Sequence, residues 1–123
     1  MQTAIIVLAD PAGGDDALGR LFNALAATYD LQQRSLPVEL VFQGAGTRWI
    51  SVVTAPEHPA HALYRAVEHS IAGVSCACAD VFGTRAEAAS AGFALLTANG
   101  VPGTSGLASL GAYIERGDRV LTF

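Results

Sequence analysis

Four short runs of apolar residues, nearly continuous rather than alternating, limit what this chain can fold into: Ala4 to Ala9, Val38 to Phe42, Ile71 to Cys76 and Arg119 to Phe123. A strand that is apolar at every position has to be covered on both faces, which is the situation of a parallel sheet held between layers. Phe93 to Thr97 is a weaker fifth run. Between the runs the apolar spacing becomes helical. Asp15 to Tyr29 brings Leu18, Leu21, Phe22, Leu25 and Tyr29 to one face, with Gly14 ahead of it and Asp15 and Asp16 favouring its N-terminus.

After the second run, Gly44-Ala45-Gly46 reads as a turn that lets the backbone approach a neighbour closely, leading into a short segment around Trp49, Ile50 and Val53. A helix is expected from Pro59 to about His69, with Leu63, Ala66, Val67 and Ser70 facing inward, and another from Arg85 to Ala91, ended by Gly92. In the last helix Leu107, Leu110, Gly111 and Ile114 form the expected core face, and Gly117 follows as the residue just past its end. Strand and helix therefore alternate from start to finish, which predicts one α/β domain over 1–123, a parallel sheet wound with right-handed crossovers and layered between helices. Ligands of such sheets bind at the carboxyl ends of strands where the strand order reverses, expected here between the first and third strands. Those ends are the loops Asp10-Pro11-Ala12-Gly13-Gly14 and Cys76-Ala77-Cys78.

Composition narrows the chemistry. The chain has a net charge of −4 and no basic cluster, which argues against nucleic acid or an anionic membrane as its partner. All 7 basic residues are Arg, and without Lys both Schiff-base catalysis and a P-loop are ruled out. With 51% hydrophobic and only 15% charged residues, some apolar surface is expected to stay open in a monomer, so a homo-oligomer is anticipated. The N-terminal stretch has neither the basic start of a signal peptide nor the length of a membrane span, so a cytoplasmic location is expected. Such a compartment keeps Cys76 and Cys78 reduced, and a bridge across one intervening residue would be strained.

Two thiols at a strand-to-helix junction suggest sulfur or redox chemistry, since the thiolate is the reactive form and a helix start favours it. On this reading Cys78 lies in the first turn after the third strand, with its thiol below the ordinary value and Asp80 partly opposing that. The plainer alternative is that both cysteines pack as small hydrophobes. The Asp10 to Asp15 loop lacks G-x-G-x-x-G, and its acidic residues would repel phosphate, so a capped turn is the better account. His58 and His61 with the cysteines would supply zinc-ligand types, but the C-x-C and His-Pro-x-His spacings fit poorly, and solvated histidines at a helix start are expected instead. No G-x-S-x-G marks a serine nucleophile.

The stretches Ala9-Asp10-Pro11-Ala12-Gly13-Gly14-Asp15-Asp16-Ala17-Leu18-Gly19-Arg20, Phe42-Gln43-Gly44-Ala45-Gly46-Thr47-Arg48-Trp49, His58-Pro59-Ala60-His61-Ala62-Leu63-Tyr64, Cys78-Ala79-Asp80-Val81-Phe82-Gly83 and Val120-Leu121-Thr122-Phe123 resemble those of small DsrE-family proteins. The resemblance runs nearly end to end. It implies a flavodoxin-like, three-layer α/β/α fold with a five-stranded parallel sheet, assembled as trimers or hexamers. It also implies sulfur relay through a cysteine after the third strand, which takes sulfane sulfur from a donor protein and passes it to an acceptor without a cofactor. The matching residue is Cys78, or Cys76. Close relatives carry C-x-x-C-A-x-x-F-G, whose first cysteine would fall on Ser75 here. The resulting expectation is Cys78 as the sulfur-accepting thiolate and Cys76 as its resolving partner. The contrasting expectation is a non-catalytic module holding a small ligand among Asp10, Gly13, Gly14, Gly44, Trp49 and the cysteine loop.

Overall fold

A computed structural model describes all 123 residues. Strands β1 (Thr3–Val7), β2 (Val38–Phe42), β3 (Ile71–Ser75), β4 (Leu95–Leu96) and β5 (Arg119–Thr122) form a single parallel sheet in the order β4-β3-β2-β1-β5. The helices are α1 (Gly14–Gln33), α2 (Ile50–Val53), α3 (His61–Val67), α4 (Cys76–Val81), α5 (Arg85–Ser90) and α6 (Leu110–Glu115), with 3-10 turns at Pro11–Gly13, Gly44–Trp49 and Glu68–Ser70. No helix is long and apolar enough to cross a membrane. β1 lies between β2 and β5, and Ala4 to Val7 are wholly buried, as a continuous apolar run requires.

This order corrects one expectation. β2 separates the first and third strands, so no crevice opens between them. The reversal falls between β1 and β5, where the chain leaves β4 at one edge and returns to the other. Crossover handedness then decides which face each helix covers. Steps from β1 to β4 all run in one direction, so right-handed connections put α1 to α5 on one face, while the return to β5 puts α6 on the other. The two core clusters divide this way. Ile5, Val7, Leu40, Phe42 and Val74 pack against residues of α1 to α5, whereas Ala4, Ile6 and Val41 pack against Ala108 and Tyr113. The second layer is thus thin, made of α6 and the segment before it.

Several inward positions differ from the helical reading by one residue. Tyr29 is 42% exposed, and Thr28 is buried in its place with its hydroxyl donating to Ala24 O at 2.8 Å. In α3 it is Tyr64 and Val67 that are buried, while Ala66 is exposed. Ile114 is 66% exposed and Tyr113 takes the core position, because the second face offers α6 a single contact line. Leu107 lies outside the helix, paired with Asn99. Gly117 does follow the helix end with φ of +80°, letting Asp118 N–H reach Tyr113 O at 2.9 Å.

Two contacts fix the layers. Gly46 passes so close to the end of β1 that a Cβ there would collide with the Val7 carbonyl, and this approach seats Trp49, whose indole N–H donates to Ala9 O at 2.7 Å. On the opposite face the Tyr113 hydroxyl donates to Glu39 Oε2 at 2.6 Å. Burial, then the bond to the Glu39 carboxylate, pushes the phenol above its ordinary range.

Gly46→Ala is expected to destabilise the protein by roughly 1–3 kcal/mol in urea unfolding, since the obstacle is backbone and cannot rotate away. An unchanged midpoint would refute the close approach. A phenol held protonated in the native state contributes stability below about pH 10 that is lost as pH rises further, because only the unfolded chain releases the proton readily. The stability advantage of the wild type over Tyr113→Phe should therefore shrink above about pH 10, as followed by thermal melting across pH.

Candidate functional site

β3 ends at Ser75, one residue earlier than expected, so Cys76 is the first residue of α4 rather than the last of the strand. Ser75 is wholly buried and leaves the helix start uncapped by its side chain, because its Oγ accepts instead from Ala108 N–H at 3.0 Å. The next free amide of the turn, Ala77 N–H, donates to Gly106 O at 2.8 Å. The segment from Thr97 to Ser109 is therefore fastened over the end of β3 by two hydrogen bonds, one to the Ser75 hydroxyl and one from the Ala77 amide. Gly106 makes this fit. It has φ of +98°, and a Cβ on it would strike Thr97.

Under this segment lies the Cys76 sulfur, in a residue 2% exposed. Arg85 Nη2 donates to Cys76 Sγ at 3.3 Å, and Arg85 Nε donates to Asp80 Oδ1 at 3.2 Å. Ser105 Oγ lies 3.3 Å from the same sulfur and 2.5 Å from Asp80 Oδ2. A hydroxyl has one proton, and the shorter distance to a charged acceptor assigns it to Asp80, leaving the serine oxygen to accept from the thiol. Sulfur, guanidinium, carboxylate and hydroxyl thus close a ring. Neither Arg85 nor Ser105 belongs to the sequence-derived set. Ser105 lies 29 residues from Cys76, and no local pattern connects them.

Cys78 is partly exposed. Two residues along a helix turn the side chain by about 200°, so the two sulfurs leave α4 on nearly opposite sides. Both are free thiols. A resolving role for Cys76 toward Cys78 would require α4 to unwind, which counts against the expected pairing. Phe82 lies four residues from Cys78 and so shares its face. The Arg48 guanidinium sits 5.1 Å from the Phe82 ring centroid and donates from Nη1 to Asp10 Oδ2 at 3.2 Å. Arg48 thereby ties the first-strand loop to the Cys78 side of the helix, a link the sequence reading missed.

The expected ligand residues part company here. Asp10 caps the Pro11–Gly13 turn, accepting from Ala12 N–H at 3.0 Å. Gly13 and Gly14 are exposed beside it, and Gly44 opens the neighbouring turn. Trp49 is 2% exposed with its N–H already bonded, so it belongs to the core and presents nothing to a ligand. A hollow of about 410 Å³ at the start of α1 is lined by Asp15, Asp16, Gly19, Arg20, Asn23 and Phe123, and takes in none of these residues. His58 Nδ1 accepts from Ala60 N–H at 3.1 Å, and His61 Nδ1 meets Val53 O at 2.7 Å. No three His, Cys, Asp or Glu side chains stand together as metal ligands.

A bulky maleimide applied to the native protein should modify Cys78 well before Cys76, and Gly106→Val should abolish that difference by lifting the covering segment. Mild oxidation should leave the intact mass without an internal disulfide. Early labelling of Cys76 would contradict its burial.

The comparisons agree with this architecture. The model of the DsrE/DsrF-like family matches residues 1–123. Among solved structures, BT1422, a conserved protein of unknown function from Bacteroides thetaiotaomicron, superposes with a TM-score of 0.61 at 15% identity, covering 98% of this chain and 94% of that one. At that identity the likeness concerns the fold alone. Among curated proteins none matches. With the family model spanning the whole chain, this protein belongs to the DsrE/DsrF-like family.

Proposed function

We propose that this protein is a sulfur carrier of the relay type and that its accepting thiol is Cys76. Family membership supports a sulfur-relay role, and one observation favours Cys76 over Cys78: it is the thiol with a cationic donor on its sulfur, Arg85 Nη2 at 3.3 Å. A neighbouring guanidinium stabilises the thiolate that has to attack. Cys78 has no such partner, and its exposure alone is the observation in its favour.

The step is an exchange without net oxidation. The Cys76 thiolate attacks the terminal sulfur of a donor persulfide, a new S–S bond forms as the donor's S–S bond breaks, and the donor leaves as a thiolate. Cys76 then carries S–SH, which an acceptor thiolate removes in the same way. No cofactor takes part. Arg85 and Ser105 are both exposed, and a donor has to displace their side chains and the covering segment to reach the sulfur. For self-association the family resemblance suggests a trimer or hexamer.

Incubation with sodium polysulfide followed by intact-mass spectrometry should show the gain of one sulfur, removable by dithiothreitol, in the wild type and in Cys78→Ala but absent from Cys76→Ala. Loss of the gain in Cys78→Ala instead would transfer the role to Cys78. No gain in the wild type would end the relay reading.

A further inference from the structure

We propose that Asp80 is the positioning residue of this thiol, holding in place both groups that touch the Cys76 sulfur. The proposal rests on Cys76 being the sulfur-accepting residue. Asp80 stands four residues after Cys76 and so shares its face of α4. Its carboxylate divides between two partners: Oδ1 accepts from Arg85 Nε at 3.2 Å, and Oδ2 accepts from Ser105 Oγ at 2.5 Å. Each partner has its other contact on Cys76 Sγ, at 3.3 Å in both cases. The Arg85 fork thus spends one prong on the carboxylate and the other on the sulfur.

Without that anchor neither group has reason to stay. The side chains of Arg85 and Asp80 are 48% and 41% exposed, and a long arginine at the surface explores many rotamers unless something fixes it. Ser105 comes from the segment over α4, and Asp80 is its one ionised partner. The charged groups around the sulfur are Asp80 from α4 and Arg85 from α5, with the neutral Ser105 from the covering segment. Arg48, from the turn packed on the far side of α4, is engaged by Asp10 and Phe82 instead.

Asp80 therefore acts on Cys76 in two opposed ways. By holding Arg85 it favours the thiolate, and by its own negative charge, and by turning the Ser105 oxygen to accept from the S–H, it disfavours it. Substitution separates the two. Asp80→Asn keeps an oxygen acceptor for Arg85 and removes the charge, whereas Asp80→Ala removes both.

The measurement is the rate of iodoacetamide alkylation of Cys76 against pH, in a Cys78→Ala background so that one thiol reports. The midpoint of the profile is expected to move to lower pH in Asp80→Asn. In Asp80→Ala it should lie about one pH unit above that of Asp80→Asn, about tenfold slower alkylation at neutral pH. Arg85→Ala should raise the midpoint above that of the wild type, and adding Arg85→Ala to Asp80→Ala should leave the Asp80→Ala midpoint in place, because an arginine without its anchor no longer acts on the sulfur. Coincident profiles for the Asn and Ala variants, or additive effects in the double variant, would overturn the positioning role. Melting temperatures are expected to stay level, since both residues are exposed. The alkylation profile reads the thiolate whether or not sulfur is loaded, so failure of the polysulfide experiment and failure of this one are distinct results.

Discussion

The handedness of the chain's crossovers governs the rest of the molecule. Three successive steps from β1 to β4 in one direction commit α1 to α5 to a single face, and only the long return from β4 to β5 remains to cover the other. That return carries the segment from Thr97 to Ser109 across the carboxyl end of β3, where Cys76 begins α4. The covering of the thiol is thus a consequence of how the sheet is closed. Without it Ala77 N–H, Ser75 Oγ and the Cys76 sulfur would all face water.

The geometry of α4 then separates two thiols that are nearly adjacent in sequence. At about 100° per residue, Cys76 and Asp80 fall on one side and Cys78 and Phe82 on the other. One side meets Arg85 and Ser105, and the other meets the link from Phe82 through Arg48 to Asp10. A pair that could have been an oxidisable couple becomes two unlike sites. The buried sulfur carries the polar partners, and the partly exposed one carries none. Exposure and polar contact are divided between the two.

How much could be read in advance varies with the distance over which each feature is decided. β2 was legible to the residue, Val38–Phe42, because six residues without a turn former between Pro37 and Gly44 leave little choice. Helix existence was legible, but facing was less so. Thr28 and Tyr29, or Tyr113 and Ile114, are consecutive residues about 100° apart around the helix, and a broad apolar stripe accepts either. The sheet selects the one that meets its surface: Thr28 buries with its hydroxyl satisfied by Ala24 O, and Tyr113 buries with its hydroxyl on Glu39. Trp49 shows the same limit. Its place after a glycine turn fits a ligand wall or a core, and only the bond to Ala9 O decides for the core.

What the sequence by itself determined is the alternation of strand and helix, the parallel sheet that follows from strands apolar on both faces, and the presence of two thiols at the end of the third strand. These rest on periodicity and local chemistry, which act over a few residues. The strand order, the thin second layer and the contacts of the Cys76 sulfur were decided only in three dimensions. Arg85 reaches Cys76 across 9 residues where α5 folds back on α4, and Ser105 reaches it across 29, a contact that exists only once the return to β5 has been laid over the sheet.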